Sequence, residues 1–212
     1  MPPTVNARIP LSLLEAVRRM DTPESDTEEE EYVQELRNKR LGLSDTVYQQ
    51  IRRYSDAAKR GQAIPYGEAI GLGTLIGRRP DAEDVFESAG KILANDVYEA
   101  ISAALRKTIR LLPGVVARPL ALNQIRQFAG RFFDGTLTRN GSSLALSITD
   151  SVTVNSGPQS VGCTYYASAL RELLRLLTSG AASVDHVCCL QRGDKSCEWR
   201  AEWRSQQSEA AA

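Results

Sequence analysis

The 212-residue chain has one histidine, four cysteines and two methionines, and aromatic residues make up only 6% of it. Neither sign of charge is in excess: 26 Lys and Arg offset 26 Asp and Glu. That balance argues against a general nucleic-acid binder, which carries a basic excess or stripe. No apolar run reaches the ~18 residues needed to cross a bilayer. The opening MPPTVNARIPLSLLEAVRRM lacks the basic start, long apolar stretch and small-residue cleavage site of a secretory signal. A cytoplasmic location is expected. In that compartment clustered cysteines point to metal or redox chemistry rather than to structural disulfides. The hydrophobic fraction, 42%, is enough for a core without covalent staples.

Helical signals dominate the first two thirds. Residues 21–40 run from an acidic block to a basic end, which suits a solvated helix or a loosely held arm. Ser44 is placed to cap a helix running to Arg60, with Val47, Ile51, Tyr54 and Ala58 on one face and Gly61 as terminator. A shorter helix is expected from Pro65 to Ile76. Its GLGTLIG has glycines spaced somewhat like a phosphate-binding loop, but no strand precedes it and the last glycine comes one residue late. These two helices also lack the basic face of a DNA-recognition helix-turn-helix. One long helix is expected from Asp81 as N-cap to Pro113-Gly114. Its stripe is Val85, Phe86, Ala89, Ile92, Leu93, Val97, Ala100, Ile101, Ala104 and Leu105. Another is expected from about Leu120 to Phe133, with Leu122, Ile125, Phe128, Ala129 and Phe132 inward.

The period then changes from 3.6 to 2. Leu144, Leu146 and Ile148 alternate with Ala145, Ser147 and Thr149, and Asn140-Gly141 is a strong hairpin turn signal. Residues 159–178 return to helix through Tyr166, Leu170, Leu173, Leu174 and Leu177, closed by Gly180. A second hairpin turns at RGDK. Its last strand sets Cys197, Trp199, Ala201 and Trp203 on one face and Glu198, Arg200, Glu202 and Arg204 on the other. The expected fold class is α+β: N-terminal helices, then a four-stranded antiparallel sheet of two hairpins with a helix between them, packed on long helices. The expected division is a helical extension over 1–80, a main domain over 81–204 and a flexible tail over 205–212.

The histidine and three of the cysteines fall within HVCCLQRGDKSC, and Cys163 lies upstream at the start of a helix. Thiolate and imidazole are good zinc ligands, and a structural zinc takes four. Five candidates exist: Cys163, His186, Cys188, Cys189 and Cys197. The hairpin brings 186–189 opposite Cys197, and a helix start favours a thiolate at Cys163. Buried inert thiols or a redox Cys188-Cys189 pair remain open readings. Adjacent strand residues face opposite ways, so Cys188 and Cys189 do not readily serve together.

The stretches VGCTYYASALRELL and DHVCCLQRGDKSCEWRAEW resemble the 4-vinyl reductase domain family, small-molecule-binding domains related in fold to the vesicle-tethering TRAPP subunits. The resemblance spans about residues 85–204. In phenol-responsive transcription activators that carry this domain, zinc is held by a helix-start Cys, a carboxylate, a second Cys and a third Cys across the turn. Carried over, these fall on Cys163, His186, Cys189 and Cys197. His186 departs from the family's Glu and is an equally good zinc ligand. His186 and Cys189 share a strand face only if a bulge intervenes. Cys188 stays the reserve ligand.

Three cysteines and one histidine make a closed zinc site, which contributes to folding rather than to chemistry. With the only histidine committed, no Ser-His-Asp arrangement remains, and Glu172 and Glu198 are expected to face solvent. No enzyme activity is expected. The resemblance implies an apolar or aromatic small molecule between the sheet and the long helices, near Phe128, Phe132, Phe133, Tyr165, Tyr166 and Trp199. It further implies a homodimer acting as a sensor or carrier with a separate output protein. Two alternatives are an accessory factor of tetrapyrrole (bacteriochlorophyll) synthesis and a ligand-free scaffold subunit.

Overall fold

The computed structural model describes residues 3–22, 41–141, 143–178 and 182–203. The acidic arm over 23–40, the terminator Gly180 and the tail over 205–212 lie outside these residues. The described elements are β1 (Thr4–Asn6), α1 (Arg8–Asp21), α2 (Asp45–Lys59), β2 (Ala63–Pro65), α3 (Tyr66–Ile76), α4 (Ala82–Ala100), α5 (Ala103–Leu111), α6 (Gly114–Phe133), β3 (Thr136–Asn140), β4 (Ser143–Ile148), α7 (Thr164–Thr178), β5 (Ala182–Cys188) and β6 (Cys197–Trp203). The expected α+β class is what the structure shows.

The two hairpins join through their inner strands, giving an antiparallel sheet of order β3-β4-β6-β5 with α7 between the hairpins in sequence. Leu144, Leu146 and Ile148 of β4 are buried while the residues between them are half-exposed, as the period-2 pattern requires. On β6 the same rule buries Cys197, Trp199 and Ala201. This face packs with α7, α4 and α6 in one continuous core. Helices α4 and α7 approach closely because position 90 is glycine: a Cβ there would lie 2.4 Å from the Tyr165 carbonyl oxygen. Ser168 Oγ crosses the same seam to donate to the Glu87 carbonyl at 2.7 Å.

Helix α1 is buried on two sides. Ile9, Leu13, Ala16 and Val17 enter the main core. Ala7, Leu11 and Leu14 form a smaller core with Val47, Ile51, Tyr54, Ala57 and Ile64 of α2 and β2. Ala57 therefore takes the inward place expected of Ala58. Neither α1 nor the β1–β2 ribbon is among the elements read from the sequence.

Other expectations shift for local reasons. The long helix expected from 81 to 112 is two helices. Ile101 is extended, and Ser102 accepts from the Leu105 N–H to cap α5. Ala100 and Ala104, expected in the apolar stripe, are exposed at this break. Asp81 occupies the N-cap position of α4, but its carboxylate binds Arg79 instead of the helix N–H groups. Helix α6 begins at Gly114 rather than near Leu120. Pro119 lies in its second turn and forfeits one backbone hydrogen bond there. Phe133 is the buried aromatic at the end of α6, while Phe132 is only partly buried. Ser44 caps α2 as expected, accepting from the Val47 N–H at 3.3 Å. Replacing Ser44 with Ala is expected to cost about 1 kcal/mol, readable as a lower urea midpoint with an unchanged slope.

Candidate metal centre

A 3-10 segment, the two strands of the second hairpin and the connection between them converge on the cluster. Cys163 ends a 3-10 segment, Pro158–Cys163, immediately before α7. Its placement depends on Gly162, whose Cβ, if present, would lie 1.8 Å from the Thr153 carbonyl oxygen. Thr153 Oγ1 donates to the Gly162 carbonyl at 2.7 Å and pins the approach. Upstream, Gln159 and Ser160 both adopt left-handed backbone, with φ of 54° and 63°. That conformation costs roughly 1–2 kcal/mol for each non-glycine residue and persists only where neighbours hold it. The neighbours are visible. The Ser160 N–H donates to Gln191 Oε1 at 2.7 Å, and Ser160 Oγ lies 3.0 Å from Cys189 Sγ. Gln191 Nε2 in turn donates to the Gly157 carbonyl at 3.1 Å.

The other donors come from the second hairpin. His186 is opposite Trp199, and the β5–β6 register slips between His186 and Cys188. This is the bulge that lets His186 and Cys189 face the same side. After Cys189 the chain makes a tight knuckle, with Gly193 at φ 90°. Asp194 Oδ2 accepts from the Cys189 N–H at 2.6 Å, and the Leu190 N–H points to Cys197 Sγ at 3.4 Å.

The donor atoms of Cys163, His186, Cys189 and Cys197 all lie within 4.8 Å of one another. Cys189 Sγ is 3.9 Å from Cys163 Sγ and 4.0 Å from Cys197 Sγ. A tetrahedron edge is about 1.63 bond lengths, so zinc–sulfur bonds of about 2.3 Å require sulfurs about 3.8 Å apart. The observed separations are close to that and far beyond the ~2.05 Å of a disulfide; all four cysteines are free. His186 Nε2 is buried with no hydrogen-bond partner, and its ring stacks on Trp199 at 5.0 Å and 16°. Two sulfur pairs at tetrahedral spacing, with an orphaned imidazole nitrogen beside them, suit a divalent metal of the zinc type.

In the metal-free cluster a hydrogen bond links the Cys163 and Cys197 thiols. The hydrogen bond from Cys163, helped by the Leu190 N–H, His186 and Cys189, brings the Cys197 thiol down to about 5 against the cost of burial. The same bond, with burial, pushes Cys163 well up. At Cys163 the neighbouring sulfurs and burial act against the thiolate that the helix start was expected to favour. A bound cation replaces the thiol protons and stabilises the thiolates together.

Cys188 is half-exposed and outside the cluster, so Cys189 is the residue brought to the other donors. Glu172 and Glu198, expected in solvent, are only 14% and 29% exposed, and pair with Arg175 and Arg200. Neither belongs to the donor group. The residues that sequence reasoning missed are the supports: Ser160, Gln191 and Asp194. Only Asp194 carried a signal, as the turn residue of RGDK.

The aromatic residues form a connected stack running from α6 to the cluster. Phe128 meets Phe132 and Phe133, Phe133 meets Tyr165 and Tyr166, and Tyr166 meets Trp199 at 5.1 Å. Tyr165, Tyr166 and Trp199 are fully buried in these contacts. Phe128 and Phe132 also line a cavity of about 410 Å³ together with Val97, Ile101 and Leu105 of the α4–α5 region. A separate polar cleft of about 650 Å³ reaches Cys163 and His186 from outside, past Arg79, Glu83, Glu87 and Arg171. No helix among the described residues is long and apolar enough to cross a membrane.

No family model matches the chain, and no curated protein matches it. Among solved structures it is similar to the crystal structure of a trafficking protein particle complex subunit 3 from Naegleria fowleri, covalently bound to palmitic acid. The identity is 13% and the TM-score 0.37, over 84% of this chain and 98% of that one.

Proposed function

We propose that the protein is a zinc-stabilised, non-enzymatic domain of the 4-vinyl reductase type that binds an apolar or aromatic small molecule. The observation that carries this reading is the convergence of Cys163, His186, Cys189 and Cys197. A metal there ties the last hairpin to the start of α7. All four protein donors are then used, leaving no position for a reacting water.

The ligand is assigned to the cavity lined by Phe128 and Phe132. Its volume, about 410 Å³, falls within the ~300–1,000 Å³ usual for small-molecule sites. Apolar walls from Val97, Ile101 and Leu105 combine with Gln124, Gln127 and Arg131. That lining favours a molecule with an apolar body and one polar end, such as a phenol or a fatty acid. Tyr165, Tyr166 and Trp199 back this wall and connect it to the metal cluster. Ligand-dependent repacking of α5 and α6 would then pass to a dimer partner or an output protein.

A thermal-shift panel of phenols and fatty acids tests the assignment. A ligand at a hundred times its Kd adds about 2.7 kcal/mol, which raises Tm by about 5–10 °C in a chain of this size. Leu105→Trp, which fills the cavity, is expected to abolish the shift while leaving the metal content intact. No stabilising compound across the panel, or equal shifts in the filled variant, would overturn the assignment.

A further inference from the structure

The corner between α5 and α6 combines exposed apolar groups with a local excess of positive charge. From Ser102 to Phe133 the sequence has six cations and no acidic residue, in a chain whose charges cancel overall. The nearest acids along the chain are Glu99 and Asp134. The two helices are joined by Leu112–Pro113 alone. Leu111, just before the link, is 72% exposed, the highest of the exposed large hydrophobic residues described, and Val116 just after it is 49% exposed.

Beside this apolar tip is a shallow pocket of about 290 Å³ lined by Tyr98, Arg106, Lys107, Arg110 and Leu111. The Arg106 and Arg110 guanidinium groups stand over the Tyr98 ring at 5.0 Å and 6.0 Å. Lys107 and Arg110 are exposed beside it, and a phosphate oxygen is the acceptor that suits such cationic donors.

We propose that this corner docks on an anionic lipid bilayer. Arg106, Lys107 and Arg110 take lipid phosphates, and Leu111 and Val116 enter the acyl boundary. A nucleic acid or an acidic peptide would satisfy the cations but offers no apolar phase for the tip. A bilayer surface supplies both in the order the corner presents them. The docking is independent of the metal centre and of the α4–α6 cavity.

Sedimentation of the full chain with vesicles tests it, comparing phosphatidylcholine alone with phosphatidylcholine containing phosphatidylserine. Binding is expected to the anionic vesicles and to weaken as salt rises. Lys107→Ala with Arg110→Ala is expected to lower the partition about thirtyfold, and Leu111→Ser about tenfold. Both variants replace exposed side chains, so their Tm should match the parent's and separate lost docking from lost folding. Equal binding to neutral vesicles, no binding to anionic ones, or parental partition in both variants would overturn the proposal. Titration with inorganic phosphate is the remaining arm. Phosphate binding without vesicle binding would reassign the pocket to a soluble anion and overturn the docking.

Discussion

Replacing Cys197 with serine lowers stability by about 3–5 kcal/mol in zinc-buffered solution, and replacing Cys189 does the same, whereas Cys188→Ser changes it by less than about 0.5 kcal/mol. The size follows from linkage. A metal held a thousandfold above its Kd contributes about 4.1 kcal/mol to the folded state. Removing one thiolate forfeits most of that and leaves buried sulfur and imidazole without a counter-charge. Cys188 is half-exposed and outside the donor cluster, so its loss touches neither term. Urea denaturation of the three variants, with and without a strong chelator, separates the readings. The chelator should bring the parent down to the level of Cys197→Ser and leave that variant unchanged, since the two act on one interaction. If instead these were inert buried thiols, chelator would have no effect, and all the buried-cysteine variants would show only small packing losses.

Gly162→Ala is expected to destabilise the fold by more than about 3 kcal/mol and to lower metal occupancy at the same time. Its Cβ would lie 1.8 Å from the Thr153 carbonyl oxygen and 2.7 Å from the Thr153 carbonyl carbon. These are backbone atoms and cannot swing aside. Relief requires moving either the 152–156 loop or the 3-10 segment that presents Cys163. Either movement also strains the left-handed pair Gln159–Ser160 and the hydrogen bonds of Ser160 to Gln191 and Cys189. Gly130→Ala is the control. A Cβ at Gly130 meets nothing within 4 Å, so alanine in the last turn of α6 should stabilise by about 0.5–1 kcal/mol. Paired thermal melts and zinc analysis read both outcomes. Equal, small effects of the two substitutions would show that the Gly162 contact is not a constraint on the Cys163 loop.

How much was legible in the chain depended on the range of the interaction involved. Strict alternation on β4 and β6 placed Leu144, Leu146, Ile148, Cys197 and Trp199 inward, because a strand's faces are set by neighbours two residues apart. Capping at Ser44 was legible for the same reason. The break at Ile101–Ser102 was not. A hydrophobic stripe continues through it, and only the local competition of the Ser102 hydroxyl for the Leu105 N–H ends one helix and starts the next. Helix α6 starts earlier than expected and runs through Pro119, which in the second turn costs only one bond. Helix α1 was legible but not read: Arg8, Glu15 and Arg19 mark a polar side opposite the residues it buries in the two cores.

The candidate centre was legible in its composition and not in its supports. One histidine and three cysteines around RGDK announced a cluster. The choice between Cys188 and Cys189 rested on a bulge that no local pattern encodes, and the structure places the register slip between His186 and Cys188. The contacts of Ser160 and Gln191 span some thirty residues of chain, and long-range pairings of that kind leave no periodic trace. The stacking of His186 on Trp199 was hidden for the same reason, since it links β5 to β6 across the sheet.

The most direct measurement is X-ray absorption at the zinc edge, with elemental analysis, on protein purified without added metal. Zinc clamping the last hairpin to α7 requires one ion per chain, with three sulfurs at about 2.3 Å and one nitrogen at about 2.0–2.1 Å. A chain that comes off purification without stoichiometric metal, or a shell with oxygen in place of one sulfur, would contradict it.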